Sequence, residues 1–332
     1  MPSIIKDEGL EAQLKSIQGV IIKPLAYRAA GGSWMRTEIV KMYNMCAVWH
    51  LQRFIKEEKV DTIYSNTCIT ILGVQLARWS KIRHIWHWHE SPQVWFEWNN
   101  LTKAIYKNFI RYAETIICIS QAQLREWERI LGIDIKNASV IYNPIKSIKL
   151  AERNEAEDVV RVGFIGHFEK LKNIETLVKS FEVMHEKEKN TRLILCGAKD
   201  DADKVYGEKM TSLKAPDLEI LWQTNDVTSF YNSIDILVLP SWYETMPLVV
   251  LEAMQAGVCV LQTDRSGMKE LIEDGKESLF FAPDDADTLS AYLMRCMNAD
   301  YRRQIAEAGQ KKALQLLKNQ QFDQQIQTLL CE

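Results

Sequence analysis

The 332-residue sequence lacks any run of about 18 consecutive apolar residues, which is the length that a membrane-spanning helix needs. Its first residues also lack the order of basic, apolar and small residues that marks a secretory signal peptide. The seven cysteines are scattered and never form a Cys-x-x-Cys pair, which favours buried, reduced side chains over disulfides. These absences predict a protein of the cytoplasm.

Charge is nearly balanced overall but is unevenly distributed along the chain. Residues 1–150 carry 20 basic and 13 acidic side chains, whereas the remainder carries 21 and 31. Eight of the ten tryptophans also lie in the first 150 residues. A basic, tryptophan-rich half is compatible with peripheral contact with the inner face of an anionic membrane. Core aromatics and solvated lysines explain the same composition equally well, and no nucleic acid partner is expected.

Short apolar runs alternate with amphipathic stretches, which is typical of doubly wound parallel α/β sheets. One alternating set ends near Pro144, and a second begins at Val160 after a polar linker. We therefore predict two Rossmann-like domains, residues 1–145 and 159–318, followed by a C-terminal helix within residues 319–332 that packs back on the first domain. The strands predicted in the second set are residues 160–165, 192–196, 218–222, 235–239, 258–261 and 278–281.

The stretch SWYETMPLVVLEAMQAG, residues 241–257, lies between two of these apolar runs and predicts a loop followed by a helix. Pro247 is expected at the first helical position, where its missing N–H needs no partner. Gly257 stands just past the helix end, where a left-handed cap costs least. The helix would begin at the carboxyl end of a strand with unpaired N–H groups facing outward, which predicts an anion site, most naturally for a phosphate.

Two carboxylates, Glu244 and Glu252, frame this predicted helix start. The ordinary alternative is a pair of solvated glutamates. However, Glu244 stands among aromatic residues and Met246, and Glu252 interrupts the otherwise apolar helix LVVLEAM, so neither is expected on an exposed face. Carboxylates at this edge of an open sheet can accept hydrogen bonds from sugar hydroxyls, and we predict that both contact a ligand.

The segment PSWYETMPLVVLEAMQAGVCV resembles the E-x7-E signature of glycosyltransferase family 4, the retaining nucleotide-sugar enzymes with the GT-B fold. This resemblance implies an α/β fold of two Rossmann-like domains facing a cleft. It also implies that Glu244 contacts the donor hexose, Glu252 contacts the nucleotide ribose, and backbone N–H groups hold the diphosphate. The residues that it assigns to the diphosphate are Met246, Pro247, Leu248 and Val249, of which Pro247 has no N–H to donate.

The stretch VGFIGHFEKLKN, residues 162–173, resembles the family's G-R-(4 residues)-K-N/G loop, whose Arg and Lys clamp the donor diphosphate. Lys172 takes the lysine position, and Gly166 allows the backbone to approach a ligand. A solvated surface lysine is the alternative for Lys172. His167 stands where arginine is usual, which predicts weaker or pH-dependent phosphate binding because histidine is mostly neutral at pH 7.

Three histidines cluster in RHIWHWHESP, but no acidic or cysteine ligand set completes a metal site. His89, with Glu90 after it, resembles the family's strand-end histidine, which approaches the donor sugar near the reacting carbon. His84 and His87 are expected to be structural. Asn225 resembles the loop that holds the nucleotide base, and the Asp226 side chain is expected to cap the next helix.

The resemblance as a whole implies a retaining glycosyltransferase that moves a hexose from a UDP- or GDP-linked donor to a glycan or lipid-linked acceptor. Such activity belongs to cell-surface polysaccharide biosynthesis. No covalent nucleophile and no metal-binding acidic triplet stand out, so no cofactor is expected and catalysis is expected to be independent of metal.

Compared with the family, the N-terminus is expected to lack about one βαβ unit, some 30 residues. A helix over residues 8–17, a strand over residues 20–24 and a helix over residues 37–59 are predicted instead. Two alternatives therefore stay open. One is a truncated, non-catalytic GT-B subunit that binds a nucleotide or an active partner, and the other is a GT-B-like nucleotide-sugar epimerase.

Overall fold

A computed structural model describes most of the chain from residue 48 onward. The elements predicted over residues 8–17 and 20–24, and the predicted base contact of Asn225, lie outside the described residues. The predicted helix over residues 37–59 is described from residue 48 and continues to residue 57. The described residues are 18, 48–95, 98–148, 159–197, 204–222 and 226–331.

Contacts between residues divide the described chain into two compact units. The first comprises the described residues up to 117 together with residues 128–139, and the second comprises residues 118–127 and those from 140 onward. The domain limits at residues 145 and 159 stay predictions.

The first unit is built on a four-stranded sheet in the order β1-β2-β3-β4. Strands β1 and β2 pair in parallel, with Thr62 opposite Arg83. The elements of this part of the chain are β1 (Thr62–Ser65), α1 (Leu72–Ser80), β2 (Arg83–Trp88), α2 (Pro92–Trp95), α3 (Asn100–Ile110), β3 (Thr115–Cys118), α4 (Gln121–Leu131) and β4 (Ala138–Val140). Residues 121–127, the first part of α4, belong to the second unit.

Strand β2, RHIWHW, is buried along all but its first residue, as expected for a strand covered on both faces. Trp86 and Trp88 are fully buried, and the Trp86 Nε1–H donates to the Thr67 carbonyl at 2.8 Å. The Tyr106 ring lies stacked on Trp86, 5.9 Å between centroids. These two tryptophans therefore form part of the core, whereas Trp49 and Trp79 are exposed.

The second unit is built on a six-stranded parallel sheet in the order β10-β9-β8-β5-β6-β7. The chain passes from β5 outward to β6 and β7, then crosses to β8 and continues to β10 on the other side. Its strands are β5 (Val160–Ile165), β6 (Thr191–Gly197), β7 (Leu218–Trp222), β8 (Ile236–Leu239), β9 (Cys259–Thr263) and β10 (Leu279–Phe281).

Helices follow these strands, and all but the last of them bury apolar side chains in one large core. No helix among the described residues combines the length and apolarity needed to cross a membrane. Two short 3₁₀ turns cover Lys170–Lys172 and Gly267–Glu270. The helices are α5 (Ile174–Lys187), α6 (Lys204–Thr211), α7 (Val227–Asn232), α8 (Leu248–Gln255), α9 (Ala286–Cys296), α10 (Ala299–Asn319) and α11 (Phe322–Cys331).

The six strands predicted in the second set agree with the observed ones to within two residues at each end. The predicted start of α8 is wrong by one residue, because Pro247 has an extended backbone (φ −74°, ψ 105°) and the helix begins at Leu248. Gly257 adopts the predicted left-handed conformation, with φ +70°. Helix α11 lies within the predicted C-terminal segment, and its packing against the first domain stays a prediction.

Candidate functional site

The order of the second sheet places one topological switch point between β5 and β8, which are neighbours from which the chain runs in opposite directions. In open parallel sheets, ligands bind at the carboxyl ends of the strands beside such a point. The two loops that meet there are residues 166–173 after β5 and residues 240–247 after β8. They carry most of the site residues predicted for this unit.

Lys172 and Glu244 are brought together across these two loops. The Lys172 Nζ lies 2.9 Å from Glu244 Oε1, and the two side chains are only 18% and 12% exposed. The Ser241 hydroxyl donates to the same carboxylate oxygen at 2.6 Å. The alternative of a solvated surface lysine does not describe Lys172, which forms a partly desolvated ion pair at the end of the sheet.

Asn173, the next residue, fixes the two loops relative to each other. Its side-chain Nδ2 donates to the carbonyls of Pro240, at 3.1 Å, and Pro283, at 2.6 Å. The Trp242 N–H donates to the Leu171 carbonyl at 2.9 Å and adds a second bridge. Asn173 has φ +51° and ψ +42°, a left-handed conformation that asparagine and glycine tolerate best. This conformation explains why the family's loop has asparagine or glycine directly after the lysine.

The loop carrying Glu244 is also tied to the turn after β9. The Glu244 N–H donates to the Arg265 carbonyl at 3.0 Å, and the Gly267 N–H donates to the Glu244 carbonyl at 3.1 Å. A Cβ atom on Gly267 would lie 2.0 Å from the Thr245 carbonyl oxygen. Only glycine allows this approach, which fixes the backbone on both sides of Glu244.

The first turn of α8 contains no acidic residue. Its leading N–H groups have no intrahelical acceptor by helix geometry, and they carry the positive end of the helix dipole. Met246 and Pro247 before the helix are buried, whereas Leu248 and Val249 are half-buried. The arrangement is that of a helix start able to receive an anion.

Glu252 faces the neighbouring helix α7. The Tyr231 hydroxyl donates to Glu252 Oε2 at 2.7 Å, and the Tyr231 side chain is fully buried. Burial, followed by the charge of Glu252, raises the pKa of Tyr231, so the hydroxyl keeps its proton and remains a donor. Among the described residues, Tyr231 supplies the hydrogen bond to this carboxylate, which leaves Oε1 able to accept another.

Gly166 and His167 follow β5 directly. The Gly166 N–H donates to the Cys196 carbonyl at 3.0 Å, so this amide extends the sheet. His167 is exposed. Asp226 caps α7 as predicted, since its carboxylate accepts from the Ser229 N–H at 3.0 Å.

His89 belongs to the first unit and directly follows β2, as expected for a strand-end histidine. Its Nε2 lies 2.7 Å from Asn66 Oδ1, and its ring centroid lies 4.0 Å from that of His87. Because the Asn66 oxygen accepts, the Nε2 atom of His89 carries a proton in this arrangement.

His84 and His87 are buried in the first unit. His84 Nε2 lies 2.9 Å from the Ser65 hydroxyl, and His87 Nδ1 lies 2.5 Å from the Tyr64 hydroxyl. Burial lowers the pKa of His84 to about 4. Burial, together with the nearby His89, lowers the pKa of His87 to about 3. Both rings are therefore neutral at pH 7.

The sequence assigned Glu90 no role beyond its place after His89, yet in the structure Glu90 connects two loops of the first unit. Its carboxylate accepts from the Thr67 hydroxyl at 2.5 Å and from the Cys68 N–H at 2.8 Å. Burial alone would raise the pKa of Glu90, but these donors outweigh burial and hold it below its usual value. An acidic residue directly after the strand-end histidine was the available signal.

Glu270 caps a helix that lies far from it along the chain. Its carboxylate accepts from the backbone N–H groups of Gln121, at 2.8 Å, and Ala122, at the start of α4. The Tyr142 hydroxyl donates to it at 3.0 Å. Sequence reasoning missed this cap because nearly 150 residues separate the partners along the chain.

Comparison with known families identifies the class of protein. The family model described as glycosyl transferases group 1 matches residues 146–312, and that described as glycosyltransferase family 4 matches residues 32–147. The chain belongs to the group 1 glycosyltransferases, and the resemblance drawn from the E-x7-E segment is confirmed.

Curated relatives are similar at low identity. An uncharacterized glycosyltransferase of Haemophilus influenzae is 28% identical over 67% of this chain and 63% of its own length. The lipopolysaccharide 1,6-galactosyltransferase of Salmonella typhimurium is 24% identical over 77% and 71%. The capsular polysaccharide biosynthesis glycosyltransferase CapM of Staphylococcus aureus is 23% identical over 46% and 40%. The chain thus spans less than two thirds of the length of the Haemophilus and Staphylococcus relatives.

Solved structures share the fold. HepE of Anabaena, crystallised with UDP and glucose, aligns with a TM-score of 0.74 at 20% identity, over 86% of this chain and 81% of its own. The sucrose-phosphate synthase of Thermosynechococcus elongatus aligns with a TM-score of 0.70 at 19% identity, over 85% and 76%. At this identity the likeness concerns the fold alone, and the predicted α/β GT-B class is confirmed.

Proposed function

We propose that this chain is a retaining hexosyltransferase that uses a nucleoside-diphosphate sugar and a glycan or lipid-linked acceptor. The acceptor proposal is supported by relatives whose names place them in lipopolysaccharide and capsular polysaccharide biosynthesis. The donor proposal is supported by the complexes of HepE with UDP and with UDP-glucose. The proposed place of action is the cytoplasm, at the inner face of the membrane.

The ion pair of Lys172 and Glu244 at the switch point is the observation that carries this proposal. The Lys172 ammonium and the N-terminus of α8 would balance the charge of the donor diphosphate. Glu244, beside the lysine, would accept a hydrogen bond from a hexose hydroxyl, and Glu252 would accept one from the ribose. The family resemblance assigns His89 a contact with the donor sugar, which stays a prediction.

In the proposed reaction, the bond between the anomeric carbon and the diphosphate oxygen breaks, and the nucleoside diphosphate leaves with the electron pair. The acceptor hydroxyl then adds to the same face of the sugar and passes its proton to the departing diphosphate oxygen, so the configuration is retained. Lys172 and the α8 N–H groups stabilise the charge that develops on the leaving oxygen, where preorganised donors lower the barrier most. No residue is assigned as a covalent nucleophile, and no metal ion is assigned to the site.

A thermal-shift panel tests the donor site. UDP, GDP, UDP-glucose, UDP-galactose and GDP-mannose are added to the wild-type chain, to Glu252→Ala and to the control Glu307→Ala, which alters an exposed helical glutamate. Stabilisation by one nucleotide series should be lost in Glu252→Ala and kept in Glu307→Ala. The absence of any shift with wild-type protein would contradict the proposal.

Mass and NMR analysis of donor incubated alone separates slow hydrolysis, expected of a transferase, from formation of an epimer.

A non-catalytic, nucleotide-binding subunit is the second candidate, and exposed His167 favours it. In place of the usual arginine, this side chain supplies no permanent charge to a bound diphosphate. Nucleotide binding without hydrolysis or transfer of the sugar would support this candidate. The variant His167→Arg should then strengthen nucleoside-diphosphate binding without creating activity, whereas a transferase should gain activity together with affinity.

A further inference from the structure

Ser241 is fully buried and stands between strand β8 and the loop that presents Glu244. Its hydroxyl lies 2.6 Å from Glu244 Oε1. Lys172 donates to that same oxygen at 2.9 Å. Among the described residues, no side chain or backbone group donates to the other carboxylate oxygen, Oε2.

We propose that Ser241 is a positioning residue that fixes Glu244 Oε1 and thereby turns Oε2 toward a hydroxyl of the donor hexose. This inference rests on the proposed function and adds a separation of roles within one carboxylate. Oε1 accepts hydrogen bonds from the protein and connects the two loops, whereas Oε2 accepts a hydrogen bond from the substrate.

The chemistry of the donors explains why the serine is needed beside the lysine. A carboxylate accepts at two oxygens with about four lone-pair directions, so a single flexible ammonium does not define its rotation. Lysine is a point charge on a long stem, and it can follow the carboxylate as that group turns. The serine hydroxyl is short and buried, and its hydrogen bond to a charged acceptor is among the stronger kinds.

The backbone around Ser241 is itself held in place. Pro240, the preceding residue, accepts a hydrogen bond from the Asn173 side chain at 3.1 Å. The following residue, Trp242, donates its N–H to the Leu171 carbonyl at 2.9 Å. The backbone of Ser241 therefore has a defined position, and the hydrogen bond from its hydroxyl fixes the orientation of the Glu244 carboxylate.

Isothermal titration with UDP, UDP-glucose, GDP and GDP-mannose tests the inference in the whole chain. In Ser241→Ala, affinity for the nucleoside diphosphate should stay unchanged, while affinity for the matching nucleotide sugar should fall about tenfold. The matched control is Ser180→Ala, which removes another fully buried serine hydroxyl, one that donates to the Ala286 carbonyl. It should leave both affinities unchanged.

A double-mutant cycle separates positioning from a structural role. Once Glu244 is replaced by alanine, adding Ser241→Ala should cause no further loss of nucleotide-sugar affinity, because the group that the serine orients is gone. A further loss in that background, or an equal loss of nucleoside-diphosphate affinity in Ser241→Ala, would overturn the inference. If the wild-type chain binds none of the four probes, the proposed function itself fails. If it binds them and Ser241→Ala behaves as wild type, only the present inference fails.

Discussion

The two units both gather polar side chains where strands end, but they do so with different chemistry. After β2 in the first unit, buried histidines bond to neutral partners, as His87 does with Tyr64. At the switch point of the second unit, an ammonium and a carboxylate, Lys172 and Glu244, form a partly exposed ion pair. One cluster is closed and mostly neutral, whereas the other keeps charge near the surface.

This difference indicates which cluster can respond to an anionic ligand. A fully buried charge is costly unless it is paired, and the first cluster avoids that cost by keeping His84 and His87 neutral. The second cluster retains charge because its groups stay 12% and 18% exposed and the partners come from two separate loops. Under the proposed function, an arriving diphosphate would share the lysine without uncovering a buried ion.

The largest expected effect follows from removing the cation of the second cluster. Lys172→Ala should lower donor-dependent activity by about 10²–10³-fold, because the developing charge of the leaving group loses a preorganised partner. Lys170→Ala is the matched control, since this exposed lysine lies in the same 3₁₀ turn. Initial rates with donor and acceptor, together with the melting temperature, provide the measurement. Equal losses in both variants would show that the pair of Lys172 and Glu244 has no special role.

Acid pH should weaken the first unit through its buried histidines. Their folded-state pKa values, about 4 for His84 and about 3 for His87, lie below the ordinary value of 6.5. The unfolded chain therefore takes up protons first as the pH falls. The stability that these rings contribute is complete above about pH 6.5 and declines below it, by about 2 kcal/mol per histidine between pH 7.5 and 5.

Urea unfolding followed by tryptophan fluorescence measures this decline, because eight of the ten tryptophans lie in the first 150 residues. An NMR titration of the histidine rings gives an independent test. The signals of His84 and His87 should not move above pH 5, because their folded-state pKa values are about 4 and about 3. Titration of either buried ring near pH 6.5 would contradict the contrast drawn between the two clusters.

The sequence was most informative where local patterns carry the fold. Alternating apolar runs located the strands of the second sheet, because parallel strands are continuous apolar segments. The roles of Ser241 and Glu270 were not predictable, because each depends on which loops the sheet order brings together. Glu270, for example, caps a helix that begins nearly 150 residues earlier. Pro247 was misplaced by one residue because proline suits both the first helical position and the extended residue before it.

A smaller effect is expected from Glu90, the charged member of the first cluster. Glu90→Ala removes the acceptor of the Thr67 hydroxyl and the Cys68 N–H, and should lower the free energy of unfolding by about 1.5 kcal/mol. Glu90→Gln keeps one oxygen acceptor and should lose less. The pKa of Glu90 is depressed, so its contribution is present at neutral pH and is lost as the pH falls through the folded-state value. Chemical denaturation of both variants at pH 7 provides the measurement. If Glu90→Ala is as stable as the wild-type protein, Glu90 does not stabilise the connection between its two loops.

The smallest expected effect concerns the support of Glu252 by Tyr231. Tyr231→Phe removes one hydroxyl, 2.7 Å from Glu252 Oε2, and leaves the buried ring in place. Freed from this donor, Glu252 should hold the nucleotide ribose less firmly, and nucleoside-diphosphate affinity should fall about fivefold. Calorimetric titration measures the loss, with Tyr206→Phe as the control, because the Tyr206 hydroxyl bonds Glu175 in the same unit. Since the ribose belongs to donor and product alike, both ligands should weaken equally, in contrast to Ser241→Ala, which should weaken only the donor. A larger loss of affinity for the nucleotide sugar than for the nucleoside diphosphate in Tyr231→Phe would mean that Glu252 contacts the sugar rather than the ribose. The roles assigned to the two glutamates would then have to be exchanged.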